Sequence, residues 1–174
     1  MSFLTPDKLV KELYLKPGSH VADIGSGSGA YTIALSDAVT SVGQVYAVDI
    51  NRESLHSLAN VLEKNNIVNV DVVWANVEQD IPIESYSLDA VILSNVLFQL
   101  EDKNKSLKNI TKILKPDGQL LIVDWSGSHS GIGPHPSHVI TEEDAEELIK
   151  KHGFRIEKRL PAGRYHYAFM AVGS

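Results

Sequence analysis

Val21-Ala22-Asp23-Ile24-Gly25-Ser26-Gly27-Ser28-Gly29-Ala30, with Asp49 twenty residues beyond Gly29, is the stretch on which the fold turns. A short β-branched run ends in glycines and serines, a helical spacing follows from about Gly29 to Ala38, and a second strand-like run spans Gln44 to Ile50. This is one βαβ unit with a glycine-rich first turn. Residues without side chains let a ligand lie against the backbone beside the positive end of a helix. Asp49, closing the second strand, is placed to accept hydrogen bonds from two ribose hydroxyls. An ordinary tight βα turn accounts for the glycines alone. Strand, turn, helix and acidic residue in that order point to a nucleotide-like ligand.

Outward from that unit the apolar residues keep two alternating rhythms, short β-branched runs and helical spacings, the pattern of a parallel sheet covered on both faces. Before it, Thr5 and Pro6 start a helix carrying Leu9, Val10 and Leu13 that stops at Lys16-Pro17-Gly18. After it, Asn51 caps a helix whose Leu55, Leu58, Ala59 and Leu62 form one buried stripe. Further strands are expected at Val70 to Trp74, Leu88 to Leu93 and Leu120 to Val123, the last two separated by a helix from about Asp102 to Leu114 and a turn at Lys115-Pro116-Asp117-Gly118. Ser126 to Ile140, rich in glycine and proline, is a long loop. Thr141 then caps a helix that Gly153 ends. The closing strands, Arg155 to Leu160 and Tyr165 to Val172, are joined by four residues, too few for a parallel crossover, and so form an antiparallel hairpin. The expectation is an α/β fold of three layers, Rossmann-like, with a seven-stranded, mostly parallel sheet and a C-terminal antiparallel hairpin.

Three ligand classes compete for the glycine turn. A phosphate-cradling NTPase loop needs Gly-x-x-x-x-Gly-Lys-Ser/Thr, which the chain lacks. Gly25, Gly27 and Ala30 also satisfy the dinucleotide fingerprint. Asp23 weighs against that ligand, because a carboxylate two residues before the first glycine faces a diphosphate unfavourably, whereas a ligand with an ammonium and a sulfonium tolerates it. S-adenosylmethionine is such a ligand.

Val21 to Gly29 resembles the first motif of the class I S-adenosylmethionine-dependent methyltransferases, and Asp49 their second. Trp74-Ala75-Asn76-Val77, Ile81-Pro82 with Leu88-Asp89-Ala90-Val91, and Leu114-Lys115-Pro116-Asp117-Gly118 are similar to later family segments, so the resemblance spans nearly the whole chain. It is nearest to the ubiquinone/menaquinone-biosynthesis-like branch (methyltransferase domain 11/25 type). The resemblance implies S-adenosylmethionine as cofactor, S-adenosylhomocysteine as product, and cofactor contacts at Asp23, Gly25, Ser26, Gly27, Gly29, Asp49, Ile50, Asn76, Val77, Ser94 and Asn95. Ser94 and Asn95 would line the methionine side, or simply cap the strand end. Where the family usually has glycine and aspartate the chain has Ala75-Asn76; the Asn76 carbonyl oxygen accepts from an adenine amino group more weakly than a carboxylate does, which implies lower cofactor affinity.

A sulfonium already makes its methyl group electrophilic, so transfer mainly needs an aligned acceptor, with a base only for a weakly acidic oxygen or carbon. His129, His135 and His138 lie in the long loop on the carboxyl side of the sheet, where α/β folds hold ligands. His135 and His138, with Tyr165 and His166 of the closing strand, are the acceptor-pocket candidates. Solvated loop histidines and core packing of the tyrosines are the plainer accounts. His20, His56, His152, Trp74 and Trp125 read as structural, and Glu142 to Glu147 as a solvated acidic face favourable to the helix dipole. No catalytic residue and no metal site is assigned.

Composition bounds the rest. A length of 174 residues suits one domain over 1–174, with 43% hydrophobic and 22% charged residues in the ordinary globular range. A net charge of −6 disfavours nucleic acid. No window approaches the roughly 18 apolar residues of a membrane span, and no leader is evident, so no membrane anchoring and a cytoplasmic location are expected. The absence of cysteine removes disulfide, thiolate-metal and catalytic-thiol chemistry and with it arsenic as acceptor, and Ser94-Asn95-Val96-Leu97 is not a nucleobase amino-methyltransferase motif. The expected activity is methyl transfer to a small molecule, with a homo-oligomer completing the site as an option. The alternatives are an NAD(P)-dependent reductase and a non-catalytic S-adenosylmethionine-binding module.

Overall fold

A computed structural model of the chain describes residues 5–128 and 132–174; His129 of the long loop lies outside the described residues. Seven strands, β1 (His20–Ile24), β2 (Gln44–Asp49), β3 (Val70–Trp74), β4 (Leu88–Ser94), β5 (Leu114–Trp125), β6 (Phe154–Leu160) and β7 (His166–Gly173), form one sheet in the order β3-β2-β1-β4-β5-β7-β6. The pairs from β3 to β5 are parallel, and β7 runs antiparallel to both β5 and β6. Among the described residues five helices cover it: α1 (Pro6–Val10), α2 (Ala30–Val39), α3 (Arg52–Lys64), α4 (Lys103–Ile113) and α5 (Glu142–Lys151).

Period-two alternation sorts the strand residues between the faces. Val21, Ala90, Ile92, Leu121, Val123, Ala168 and Met170 pack under α1 and α2, with Ala47 under Leu58 and Leu62 of α3. Ala22, Ile24, Val91, Leu93, Leu120, Ile122, Phe169 and Ala171 pack under α4 and α5. Central strands apolar on both faces are what a sheet buried between two helical layers requires. Each fully buried leucine there, Leu58 and Leu107 among them, contributes about 1.5–3 kcal/mol relative to exposure.

The helix starts follow their caps. Asn51 Oδ1 accepts the Glu53 and Ser54 N–H groups, Asp102 Oδ1 that of Lys105, and Thr141 Oγ1 that of Asp144. Four details differ from expectation. The first helix ends at Val10, with Leu13 buried from the turn that follows. The Lys115–Gly118 turn is a bulge inside β5: pairing with β4 jumps from Leu88↔Leu114 to Ala90↔Gln119, and Pro116 has no N–H to give the ladder. The last strand starts at His166, leaving Tyr165 just before it. Glu146 is buried and paired with Arg159 (2.7 Å) and Lys150 (3.3 Å), so the acidic run is not wholly solvated.

Candidate functional site

Chain order reverses between β1 and β4: β2 and β3 follow β1 outward on one side, while β4 leads to β5 on the other. Crossover connections diverge at such a switch point and leave a crevice beyond the strands' carboxyl ends. A cleft of about 550 Å³ occupies that position. Gly25 and Gly27 line it from the end of β1, Asp49 and Ile50 from β2, Asn76 to Glu78 from the segment after β3, and Ser94 to Val96 from β4. Gln99, Leu100 and Glu101 close it from the short 3-10 turn Leu97–Gln99 and the residues after it.

Two glycines of the turn are required for different reasons. Gly25 has φ +75°, and a Cβ there would fall 2.4 Å from Val96 Cγ2. Gly27 has φ +50°, and its would-be Cβ meets nothing closer than 3.9 Å, so the position faces open space beside the cleft. Asp49 clamps this turn. Its Oδ2 accepts the Gly27 N–H and its Oδ1 the Asn51 N–H, each at 2.8 Å. A carboxylate has about four lone-pair sites, so two remain for hydroxyl donors in the cleft.

Asp23 does not line the cleft. Alternation along β1 places it on the α2 face with Val21, where Thr32 Oγ1 donates to its Oδ2 at 2.6 Å. Burial pushes its pKa up to about 6; the Thr32 hydroxyl and N–H oppose that shift, and the Asp49 charge adds to it. The expected direct encounter of Asp23 with a ligand's charges is thus replaced by a brace between β1 and α2 behind the glycine turn. Ser26 and Gly29 are likewise outside the cleft wall. Asn76 lines it, but its Oδ1 already accepts the Glu78 N–H at 2.9 Å, leaving one lone pair for a ligand donor.

Asn95 lies at the β4 end of the cleft. Its backbone is left-handed at φ +58°, a conformation asparagine tolerates better than most residues. Its Oδ1 is buried with no hydrogen-bond partner among the described residues. An unpaired buried acceptor costs about 1–3 kcal/mol. Unfilled acceptors at Asp49, an open backbone at Gly27 and the Asp49 charge fit an adenosine compound carrying a positively charged amino-acid end.

Three residues missed in the sequence hold the walls. Glu78 Oε1 accepts the Glu101 N–H at 2.7 Å, and Asn109 Nδ2 donates to the Val77 and Gln79 carbonyls at 2.8 and 2.5 Å. Gln99 Nε2 donates to the Asn95 carbonyl at 2.6 Å. These bonds join segments up to 32 residues apart, and no local spacing announces them.

A second cavity of about 740 Å³ shares Gln99, Leu100 and Glu101 with the cleft. Phe98, Lys103, Ser137, His138, Val139, Ile140 and Asp144 complete its wall. Of the acceptor candidates, His138 is the one in it. His135 turns its Nδ1 to Ser137 Oγ (2.8 Å), and the His166 ring lies against Trp125 with centroids 4.2 Å apart. The Arg164 guanidinium lies 5.7 Å from the Tyr165 ring centre. Among the described residues no three histidine, aspartate or glutamate side chains are grouped as metal ligands, and no helix is long and apolar enough to cross a membrane.

Comparison with known proteins agrees with this geometry. A family model described as a methyltransferase domain matches residues 15–159. The ubiquinone/menaquinone biosynthesis C-methyltransferase UbiE of Vibrio campbellii is 37% identical over 112 residues, 64% of this chain and 43% of that protein. The aligned region therefore spans less than half the length of the curated relatives matched. A crystal structure of an S-adenosylmethionine-dependent methyltransferase from Aquifex aeolicus superposes with a TM-score of 0.91 at 28% identity, covering 99% of this chain and 91% of that one. The [4+2]-cyclase SpnF superposes with a TM-score of 0.84 at 14% identity, over 97% of this chain and 79% of that one, a likeness of fold alone.

Proposed function

The chain belongs to the methyltransferase-domain family; from that premise we propose that residues 1–174 act as one domain, an S-adenosylmethionine-dependent methyltransferase that binds the cofactor in the switch-point cleft and a small-molecule acceptor in the adjoining cavity. The reductase alternative has no support from the matched family. S-adenosylmethionine supplies a methyl group made electrophilic by its sulfonium. Asp49 accepts the ribose hydroxyls with the lone pairs that Gly27 and Asn51 leave open, and Asn76 and Val77 border the adenine. Ser94 and Asn95 would border the amino-acid end, and Asp49 and Glu78 place negative charge around a cationic ligand. Gly25 and Gly27 let the ligand approach the backbone, while Asp23, Ser26 and Gly29 support the turn from behind.

One observation supports the assignment of the acceptor: Gln99, Leu100 and Glu101 line both cavities, which puts them side by side. Alignment of a lone pair behind the carbon–sulfur bond is the main catalytic requirement, worth up to about 7–11 kcal/mol. Phe98, Leu100, Val139 and Ile140 give the acceptor's body an apolar wall, and His138 is the base when the methylated atom carries a proton. The relatives' place in ubiquinone/menaquinone biosynthesis supports carbon methylation of a ring compound.

Incubation of the protein with methyl-labelled S-adenosylmethionine and metabolite extract, read by mass spectrometry, tests this function. The expected result is label in a small apolar metabolite, diminished at least tenfold by His138→Ala. Cofactor binding with no labelled product across extracts leaves the non-catalytic binding module as the account.

A further inference from the structure

Asp124, near the end of β5, is fully buried although it is ionisable. Alternation turns it toward the α4 and α5 side of the sheet, opposite Tyr167 of β7 in the antiparallel register. Its Oδ1 accepts the Trp125 N–H at 2.8 Å, its Oδ2 accepts the Phe98 N–H at 3.3 Å, and the Leu97 N–H also points to it. Lys103, whose ammonium is bonded to the Leu100 carbonyl at 2.7 Å, is the cation facing it. The Tyr167 hydroxyl, buried with no hydrogen-bond partner among the described residues, lies on the other side, with Glu142 and Asp144 of α5 beyond it.

Enclosing a carboxylate is costly unless its acceptors are used. Here Oδ1 is met by the neighbouring Trp125 N–H, and the remaining acceptors by the Leu97 and Phe98 N–H groups of one short turn, Leu97–Gln99, whose Gln99, with the Leu100 and Glu101 that follow it, lines both cavities. On the reading of the two cavities given above, we propose that Asp124 is a positioning residue for methyl transfer, holding the Leu97–Gln99 turn so that the shared wall presents cofactor and acceptor to one another. A carboxylate suits this task better than an amide. It is acceptor-only, so both oxygens meet N–H groups, whereas asparagine sets an NH₂ against one of them. Burial raises the Asp124 pKa to about 6, with Trp125, Phe98, Leu97 and Lys103 opposing the rise, so the turn's anchor weakens as the group takes a proton.

The isosteric variant Asp124→Asn tests the proposal, with amide exchange followed by NMR and S-adenosylmethionine affinity by calorimetry. The variant is expected to lose protection at Leu97 to Gln99 by about tenfold, as one charge-assisted bond is lost, while amides of β1 and α2 keep theirs. Its cofactor affinity should fall at least threefold and decline less from pH 7 to pH 5 than that of the wild type. Retention of either the turn's protection or the cofactor affinity within twofold overturns the proposal. Should the variant not fold, the wild type decides: the Leu97, Phe98 and Trp125 amide shifts must titrate with one midpoint, and shifts flat across pH 5 to 7.5 overturn it. A wild type that takes no S-adenosylmethionine defeats the methyl-transfer reading instead, and the exchange comparison still decides whether Asp124 holds the turn.

Discussion

The Asp23 carboxyl, enclosed between β1 and α2, titrates near 6 against an ordinary value of 3.8, chiefly because burial penalises its charge. Between those two values the folded chain holds a proton that the unfolded chain has released. Its stability therefore falls as pH rises through about 4 to 6, and the cost is constant above that window. Asp23→Asn retains an acceptor for Thr32 without a charge. Its stability relative to wild type is expected to rise by about 1–3 kcal/mol between pH 4 and pH 7 in urea titrations; a pH-independent difference would show that the Asp23 carboxyl has the same proton affinity in the folded and unfolded chain. At this scale the sequence reveals residue types better than their directions. Gly27 and Asp49 were readable from spacing, and both border the cleft. Asp23 was readable as a polar residue beside the turn, but only knowing that α2 covers its face shows that it points away. Glu78 and Asn109 were silent, since their bonds reach across more than twenty residues.

Asn51 links two elements at the site: its side chain caps α3 while its backbone N–H holds Asp49. Asn51→Ala keeps the backbone donor and removes the cap, so thermal unfolding should show a loss of about 1 kcal/mol, with cofactor affinity falling through a looser Asp49. An unchanged melting temperature would mean that α3 starts without help from this cap. Helix α3 was legible because Leu55, Leu58 and Leu62 follow a 3.6-residue period beneath a recognisable cap. The start of β5 was not. Pro116 and Gly118 read as a turn, and only the register shift against β4 shows them as a bulge carried within the strand. The Leu97–Gln99 turn also escaped, because three residues are too few for a period.

At the scale of the molecule, the alternation of strands and helices foretold a sheet buried on both faces, and the brevity of Pro161 to Arg164 foretold the antiparallel close. The cleft follows from topology, since it lies where chain order reverses between β1 and β4. The second cavity could not be foreseen, because it joins the 98–103 segment to residues 137–144, which are distant in sequence. The proposed acceptor cavity is built from the chain's own loops, whereas the cofactor is common to the family. Calorimetric titration of S-adenosylmethionine into the wild type and Asp49→Ala tests the central claim most directly. The account predicts saturable one-to-one binding by the wild type, weakened by about 1–3 kcal/mol in the variant through the loss of charge-assisted bonds to the ribose and of the Gly27 clamp. Equal affinities in the two proteins, or heat from a nicotinamide dinucleotide and none from S-adenosylmethionine, would contradict it.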